Sequence, residues 1–506
     1  MTLKGWWIRS IVLGGVLLLA PTGAWADKLT DLEQTLKVQQ QSLQRLRQEM
    51  QQLRQERSAQ QDEMARRVME VEQKAAEAAA SAYQVGFEPG KGFSLQSSDG
   101  QFKLNLRGFI QNWFIVEGAR DKDNYPGTVD GQDVTKAGLA RHNPSTFRIR
   151  RTRLVVSGQV FNDFGFLIEQ EITGGSTGTR LEEAYVNYAY APWAKLTVGQ
   201  YKARFGLEML TSSRDLDFAE RTVTSRALSP EYQLGLTLEG NLKLAAIPVY
   251  YGVGLYNGCG RVDQCSGGID NDGNKEYTGR VTFAPPMPVG NLTIGLNVDH
   301  RTFRVVRGKG ATDPSGVTTP VGGGSTNHRF NPISPTGVRL AGNGEGGTQN
   351  GFLINGNRIA GGGDLVFDFY PFILKGEYIY ATQERDDVGA GGSNLDNLIM
   401  QGGYGSIGYW LFGNKQKGLL ANGRYEHMRV DDNKGTFTAP DSAKNEVPME
   451  LRSGTFGLSW YVNPNVRLRG NYILTDLRPG RNAVGLSNST HGELAHEGIA
   501  ELLLQF

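Results

Sequence analysis

Apolar and polar residues alternate one by one along much of the chain from about residue 102 to the C-terminus. The clearest stretches are 234–242, 292–299 and 466–475, where mostly aliphatic residues occupy every second position and polar residues occupy many of the others. A period of two residues is typical of a β-strand with one apolar face and one face in water. Many strands of this kind predict a closed barrel whose outer face meets lipid and whose inner face meets water.

The alternation predicts about sixteen antiparallel strands within residues 101–506, so the expected fold is an all-β transmembrane barrel. The strands are predicted at 102–117, 146–158, 164–173, 180–190, 195–205, 232–242, 247–257, 275–285, 291–303, 355–369, 372–383, 398–411, 418–430, 449–462, 466–477 and 495–506. Short and long connections alternate, as they do between the periplasmic turns and outer loops of outer-membrane barrels. Aromatic residues near strand ends are predicted to form interfacial girdles: Tyr188, Tyr190, Trp193, Trp410, Trp460 and Tyr461.

Two N-terminal segments, residues 1–26 and 83–100, are predicted to belong neither to the barrel nor to a helical segment between them. Residues 1–26 combine Lys4 and Arg9 with an apolar run and end in Ala24-Trp25-Ala26, which predicts a cleaved secretory signal. A membrane anchor is the alternative, but the apolar run is short for a spanning helix. Residues 83–100 contain a proline and several glycines and are predicted to be a linker.

Residues 27–82 are predicted to form a coiled-coil helix in the periplasm. Leu29, Leu36, Leu43 and Met50 recur every seven residues, and neither glycine nor proline falls between Leu29 and Ser81. A seam this narrow favours self-association with other copies of the chain. A lone amphipathic helix packed on the barrel is the alternative.

Charge and cysteine content narrow the function classes further. The formal net charge is only +1 at pH 7, which argues against a nucleic-acid-binding protein. The two cysteines, Cys259 and Cys265, lie in a stretch rich in Gly, Asp and Asn. In an exported protein this spacing predicts a small disulfide ring, with free thiols or an incidental metal pair as the alternative.

Sequence patterns for metal or nucleotide chemistry are weak. The histidines are scattered and form no HExxH sequence, and no GxxxxGK[ST] sequence is found. The stretch 270–274 resembles part of a calcium-binding loop but lacks the glutamate that would complete it. The sequence therefore predicts a protein that is not an enzyme and needs no cofactor or metal ion.

Four arginines, Arg148, Arg150, Arg151 and Arg153, lie within six residues. A cation that faces lipid costs roughly 2 to 4 kcal/mol at mid-depth, so some of them must line the lumen. Strict alternation would send Arg148 and Arg150 to one face and Arg151 and Arg153 to the other. This conflict predicts a β-bulge or a position at the barrel rim, and a basic rim that binds lipid phosphate is the alternative.

A second basic set, Lys202, Arg204, Arg214, Arg221 and Arg226, lies within or just before the connection at 206–231. If that connection folds into the lumen, its arginines would offer permanently charged donors to phosphate or carboxylate oxygens. The connection also carries acidic residues, so a self-paired loop in solvent is the alternative. The later strands carry basic and acidic residues in balance, which confines any anion preference to the first half of the barrel.

Five stretches between residues 147 and 240 resemble the phosphate-selective porins O and P of Gram-negative outer membranes. They read FRIRRTRLVVSGQV, FLIEQE, LEEAYVNY, AKLTVGQYKARFGLE and FAERTVTSRALSP. The resemblance implies a trimeric, sixteen-stranded channel in which a ladder of arginines leads anions to a basic constriction. The residues that match in position are Arg148, Arg150, Arg151, Arg153, Lys202, Arg204, Arg221 and Arg226.

The sequence therefore supports the hypothesis of an outer-membrane porin, a passive channel that prefers small anions, with phosphate and related oxyanions as candidate solutes. Its expected partners are those anions, outer-membrane lipid and two further copies of the chain. A structural tether that links the outer membrane to the cell wall through the coiled coil is the alternative function.

Overall fold

The structure, a computed structural model, describes residues 24–117, 128–129, 132–133, 145–173, 178–261, 273–303, 329–330, 352–386, 394–431, 449–478 and 493–506. The chain divides into two compact units, Met1–Ala82 and Tyr83–Phe506.

The first unit contains one long helix, α1, which spans Ala24–Ala82. Residues that favour helices fill it, and pairs such as Glu63 with Arg67, 2.7 Å apart, connect successive turns on its surface. The seam residues Leu36 and Leu43 are 52% and 55% exposed within the single chain. Among the described residues, no helix is both long enough and apolar enough to cross a membrane.

The second unit contains a barrel of sixteen strands. They are β1 Phe102–Glu117, β2 Ser145–Val160, β3 Phe164–Glu171, β4 Arg180–Ala191, β5 Ala194–Lys202, β6 Tyr232–Leu244, β7 Ile247–Tyr256, β8 Glu276–Phe283, β9 Asn291–Phe303, β10 Gly356–Phe369, β11 Phe372–Arg385, β12 Leu395–Gly413, β13 Gly418–Asp431, β14 Met449–Asn463, β15 Val466–Arg478 and β16 Glu493–Gln505. Consecutive strands pair antiparallel, and β16 pairs with β1, which closes the ring. The predicted fold is confirmed, and each predicted strand overlaps an observed one.

A β-hairpin precedes the first barrel strand, where the sequence predicts a linker. Its strands, Tyr83–Glu88 and Gly92–Ser97, pair with each other, and the second also pairs with β1 through Phe93 opposite Leu106. The last strand leaves this part of β1 unpaired, because β16 ends opposite Phe109. The hairpin therefore continues the sheet where the barrel's own last strand stops.

The two faces of the strands differ as the alternation predicts. On β15, Leu468 and Tyr472 are 38% and 47% exposed on the outer face, whereas Arg467 and Arg469 are 5% and 3% exposed in the lumen. The lumen is thus crowded with charged side chains, while the outer face offers an apolar surface to lipid.

The aromatic girdle follows the prediction with two exceptions. Tyr190, Trp193 and Trp460 are exposed near the short turns, as expected for the membrane interface. Trp410 and Tyr461 are each only 6% exposed and contact each other in the barrel interior, with ring centroids 5.5 Å apart. The girdle prediction is wrong for these two residues, because each shares the alternation phase of the inward-facing positions on its strand.

Close strand packing around Gly199 on β5 gives a test of the barrel wall. Its φ is 137°, and a Cβ atom there would lie 2.2 Å from the carbonyl oxygen of Ala184. We expect Gly199→Ala to destabilise the barrel by about 1–3 kcal/mol, because backbone would have to move, and to lower the temperature of the heat-induced mobility shift on gels. Gly470→Ala, with open space around its Cβ position, is the control. Equal transition temperatures for the two variants would contradict this.

Candidate functional site: a basic cavity in the barrel lumen

A β-bulge in β2 brings the four clustered arginines to the same face. Arg151 lies opposite Gln111 and Ile149 lies opposite Asn112, so Arg150 is the extra residue between two regular pairs. The alternation phase changes at this point. Arg151 and Arg153 are buried in the lumen at 4% and 8% exposure, and the bulge that the sequence predicts is confirmed.

The connection from β5 to β6, residues 203–231, folds into the lumen, and we call it the inner loop. It contains two short helices, α2 Leu207–Leu210 and α3 Val223–Leu228. Glu377 on β11 accepts hydrogen bonds from the backbone N–H of Leu207 at 2.9 Å and from Ser225 Oγ at 3.0 Å. The question that the sequence leaves open, whether this loop enters the lumen, is thereby answered.

Further contacts show that the inner loop crosses the barrel. Glu426 on β13 accepts from the N–H of Thr224 at 2.6 Å, and Asn471 on β15 accepts from the N–H of Ala219 at 2.7 Å. Strands β13 and β15 lie on the far side of the ring from β5. Glu208 of the loop also forms an ion pair with Arg424 of the barrel wall at 3.0 Å. The alternative of a self-paired loop in solvent is therefore wrong.

A cavity of about 640 Å³ lies between the inner loop, β2 and the neighbouring strands. Nine basic and three acidic side chains line it among the described residues. The basic residues are Arg148, Arg150, Arg151, Arg153, Arg180, Lys202, Arg221, Arg226 and Arg261, and the acidic residues are Glu171, Glu220 and Glu231. The lining therefore carries a formal excess of positive charge, which attracts anions into a site partly shielded from water.

Glu220 of the inner loop contacts two arginines of the cluster. Its carboxylate accepts from Arg150 Nε at 2.9 Å and from Arg151 Nη2 at 2.8 Å. Burial by itself would raise the pKa of Glu220, but the charges of Arg150 and Arg151 hold that pKa well below its ordinary value. The carboxylate is therefore charged at neutral pH.

Two cations of the cavity bind backbone carbonyls. Lys202 Nζ donates to the carbonyl oxygen of Thr211 at 3.0 Å, and Arg221 Nε donates to that of Glu208 at 2.9 Å. Carbonyl oxygens satisfy these donors but bring no negative charge. These hydrogen bonds hold both groups in the lining of the basic cavity.

Arg153 has a different environment, because carboxylates surround it. Its guanidinium contacts Glu169, Glu171 at 2.8 Å and Glu182 at 3.5 Å. This arrangement fixes the guanidinium plane and offsets much of its charge.

The structure brings together seven of the eight residues predicted for the site: Arg148, Arg150, Arg151, Arg153, Lys202, Arg221 and Arg226. Arg204 is the exception among them. It pairs with Glu239 at 2.7 Å and stacks over the ring of Tyr201 at 5.3 Å, outside the lining of the basic cavity.

Two lining arginines were missed by sequence reasoning. Arg180 and Arg261 bind the two oxygens of Glu182 at 2.5 Å and 2.9 Å. A register shift between β3 and β4 leaves Glu182 without a cross-strand partner. Arg261 follows β7 in sequence, and its position beside β4 depends on contacts between distant segments, so the alternation pattern carries no signal for it.

Ion pairs recur along the later strands of the described lumen wall, where the sequence predicts basic and acidic residues in balance. Arg280 pairs with Asp364 at 2.6 Å, and Arg358 pairs with Asp299 at 3.0 Å. Arg467 pairs with Glu501 at 3.3 Å. Rings of cations select anions only when acidic partners do not cancel them, so the basic cavity differs from these regions.

The described residues include one of the two cysteines and part of the calcium-like stretch 270–274. Cys259 is disulfide-bonded, and Cys265, the second cysteine of the chain, lies outside the described residues. The start of the calcium-like stretch 270–274 also lies outside them. Within the described part of the chain, no group of three or more His, Cys, Asp or Glu residues could hold a metal ion.

A closed sixteen-stranded barrel with an apolar outer face, a charged lumen and a loop folded inside it is the architecture of outer-membrane porins, which are channels. The chain belongs to the family described as phosphate-selective porin O and P, whose model matches residues 128–495. A relative, Porin O of Pseudomonas aeruginosa, is 22% identical over 426 residues, which cover 76% of this chain and 85% of the relative. The protein is located in the outer membrane.

Solved porin structures resemble the barrel at low sequence identity. OmpT, an outer-membrane protein of Vibrio cholerae, is 9% identical with a TM-score of 0.46, and the match covers 80% of this chain and 98% of that chain. An anion-selective porin from Comamonas acidovorans is 12% identical with a TM-score of 0.46, and that match covers 80% of this chain and 100% of the other.

Removal of an anchor of the inner loop gives a second prediction. Glu377→Ala would leave the N–H of Leu207 and the hydroxyl of Ser225 without their acceptor, at a cost of about 1–3 kcal/mol for each buried donor. We expect the loosened loop to increase the noise of the open-channel current in planar bilayers. Glu384→Ala on the same strand, where the carboxylate accepts from Asn357, is the control. Unchanged current noise in Glu377→Ala would show that this carboxylate does not hold the loop.

Proposed function

We propose that this porin is a passive channel with a preference for small anions, and that phosphate and related oxyanions are its preferred solutes. The observation that carries the proposal is the basic cavity, with nine basic and three acidic lining residues. The description of the family as phosphate-selective supports the choice of oxyanion.

The residues proposed to bind the passing anion are Arg148, Arg150, Arg151, Arg153, Lys202, Arg221 and Arg226, with Arg180 and Arg261 added by their positions in the cavity. Guanidinium groups present planar pairs of donors that match two oxygens of a phosphate or carboxylate. Arg204 would act further along the lumen, where its charge is offset by Glu239.

Transport of this kind needs no cofactor. Basic side chains lower the free energy of an anion that enters the constriction, and several weak sites in succession let it leave again. Arg150 suits this role, because its side chain lines the cavity and is 19% exposed, whereas those of Arg151 and Glu220 are 5% and 1% exposed.

Charge reversal in the arginine cluster tests the proposed selectivity. We expect Arg150→Glu together with Arg151→Glu to reduce anion over cation permeability by roughly tenfold, because two positive charges become negative in a site of lowered dielectric constant. Reversal potentials under a salt gradient in planar bilayers measure this ratio. Arg452→Glu is the matched control, since Arg452 is exposed and pairs with Glu450 rather than lining the cavity. An unchanged reversal potential in the double variant would reject the assigned residues.

We also propose a homotrimer, in which residues 27–82 form a periplasmic three-stranded coiled coil after removal of residues 1–26 and the barrel begins near residue 101. The support is the heptad seam of α1, whose Leu36 and Leu43 are exposed in the single chain. Exposed leucines in a regular seam gain free energy when helices associate. Separately, we propose a disulfide between Cys259 and Cys265.

The seam can be tested in the detergent-solubilised protein. We expect the double variant Leu36→Asp and Leu43→Asp to weaken assembly. Each aspartate would have to be buried in the seam without a partner, and the loss of its hydration would cost on the order of several kcal/mol. Light scattering after size-exclusion chromatography measures the mass. Glu63→Gln, which removes only a surface ion pair, is the control. A trimer that persists unchanged in the double variant would assign assembly to the barrel instead.

Deletion of residues 27–81 separates the porin from the alternative, a tether to the cell wall. A porin keeps its single-channel conductance without the helix, since the basic cavity lies in the barrel. A tether would lose envelope cohesion, visible as increased vesicle release, whatever its conductance.

A further inference from the structure

Glu220 holds the position at which an anion would meet the arginine cluster. Its two carboxylate oxygens accept four hydrogen bonds from Arg150 and Arg151, at 2.5–2.9 Å. Arg151 is held from the other side by the side-chain oxygen of Gln111 at 2.9 Å. The guanidinium pair is thus already oriented around a carboxylate.

The carboxylate belongs to the inner loop and not to the barrel wall. Glu220 lies between Ala219, whose N–H donates to Asn471, and Arg221, which binds carbonyl oxygens of the same loop. Its side chain is 1% exposed, whereas that of Arg150 is 19% exposed. Both side chains line the cavity, but Arg150 offers a solute more accessible surface than Glu220 does.

We propose that Glu220 is an internal competitor for anions, which occupies the guanidinium groups of Arg150 and Arg151 with its own carboxylate and so weakens their binding of passing oxyanions. This inference rests on the proposed function and concerns how tightly the same cavity binds. An oxyanion that enters shares Arg150 with Glu220, or displaces that carboxylate toward Arg226 and Arg221, whose charges also act on it.

The physical reason for such a residue is the balance between entry and release. A channel conducts only when its sites are favourable enough to fill and weak enough to empty. Without Glu220, nine basic side chains would face only the carboxylates of Glu171 and Glu231 in the described lining, and such a lining would bind a multivalent oxyanion more tightly and slow its release. A fixed carboxylate that competes for two of the guanidinium groups lowers that affinity without closing the path.

The test uses the full-length protein in planar bilayers, with inorganic phosphate added to a chloride solution. Glu220→Gln keeps the size of the side chain and removes its charge. The half-blocking concentration is the phosphate concentration that halves the chloride current, and we expect it to fall roughly tenfold in this variant. Glu426→Gln is the matched control, because Glu426 anchors the inner loop at Thr224 but does not line the basic cavity. Its half-blocking concentration is expected to change much less.

Two results would overturn the inference. One is a half-blocking concentration in Glu220→Gln equal to or higher than that of the wild type. The other is a larger conductance with lower anion selectivity, which would show that Glu220 only ties down the loop. If Glu220→Gln fails to fold, Glu220→Ala is expected to shift the block in the same direction. A wild-type channel without anion preference would reject the proposed function itself, and that result is read separately from the comparison of variants.

Discussion

Within a bilayer, every backbone N–H and C=O group needs a hydrogen-bond partner from the protein, and this requirement governs the whole structure. A sheet meets it only by closing on itself. Here the closure extends to the last residue, since Phe506 and Gly108 exchange backbone hydrogen bonds at 3.0 Å. Beyond that point the hairpin at Tyr83–Ser97 pairs with β1. Closure also converts the alternation of the sequence into an outer face and a lumen.

Because closure and alternation are linked, the strands could be predicted from the sequence almost completely. The bulge at Arg150 was predictable for the same reason, since four neighbouring arginines cannot obey strict alternation without facing lipid. The errors arose at the strand ends. Trp410 and Tyr461 were assigned to the girdle by residue type and place in the strand, although their alternation phase points inward and each is 6% exposed.

The site was less predictable, because it depends on contacts between residues far apart in the chain. Leu207 and Glu377 are 170 positions apart, yet the hydrogen bond between them helps to hold the inner loop in the lumen. No local pattern reports such a contact. Arg204 and Arg261 illustrate the same point, because the nearest carboxylate, Glu239 or Glu182, decides where each guanidinium lies.

The choice of partner for each buried cation explains how one lumen can be stable and still contain a basic cavity. A buried charge without a partner costs several kcal/mol, roughly the price of its lost hydration. Most of the lumen meets this cost with carboxylates, as in the pair of Arg280 and Asp364, and the charges cancel. Lys202 and Arg221 instead donate to carbonyl oxygens of the inner loop, which satisfy these donors without adding a formal negative charge. The inner loop therefore contributes both lining residues and carbonyl oxygens to the basic cavity, so the path of that loop helps to determine where basic side chains gather in the lumen.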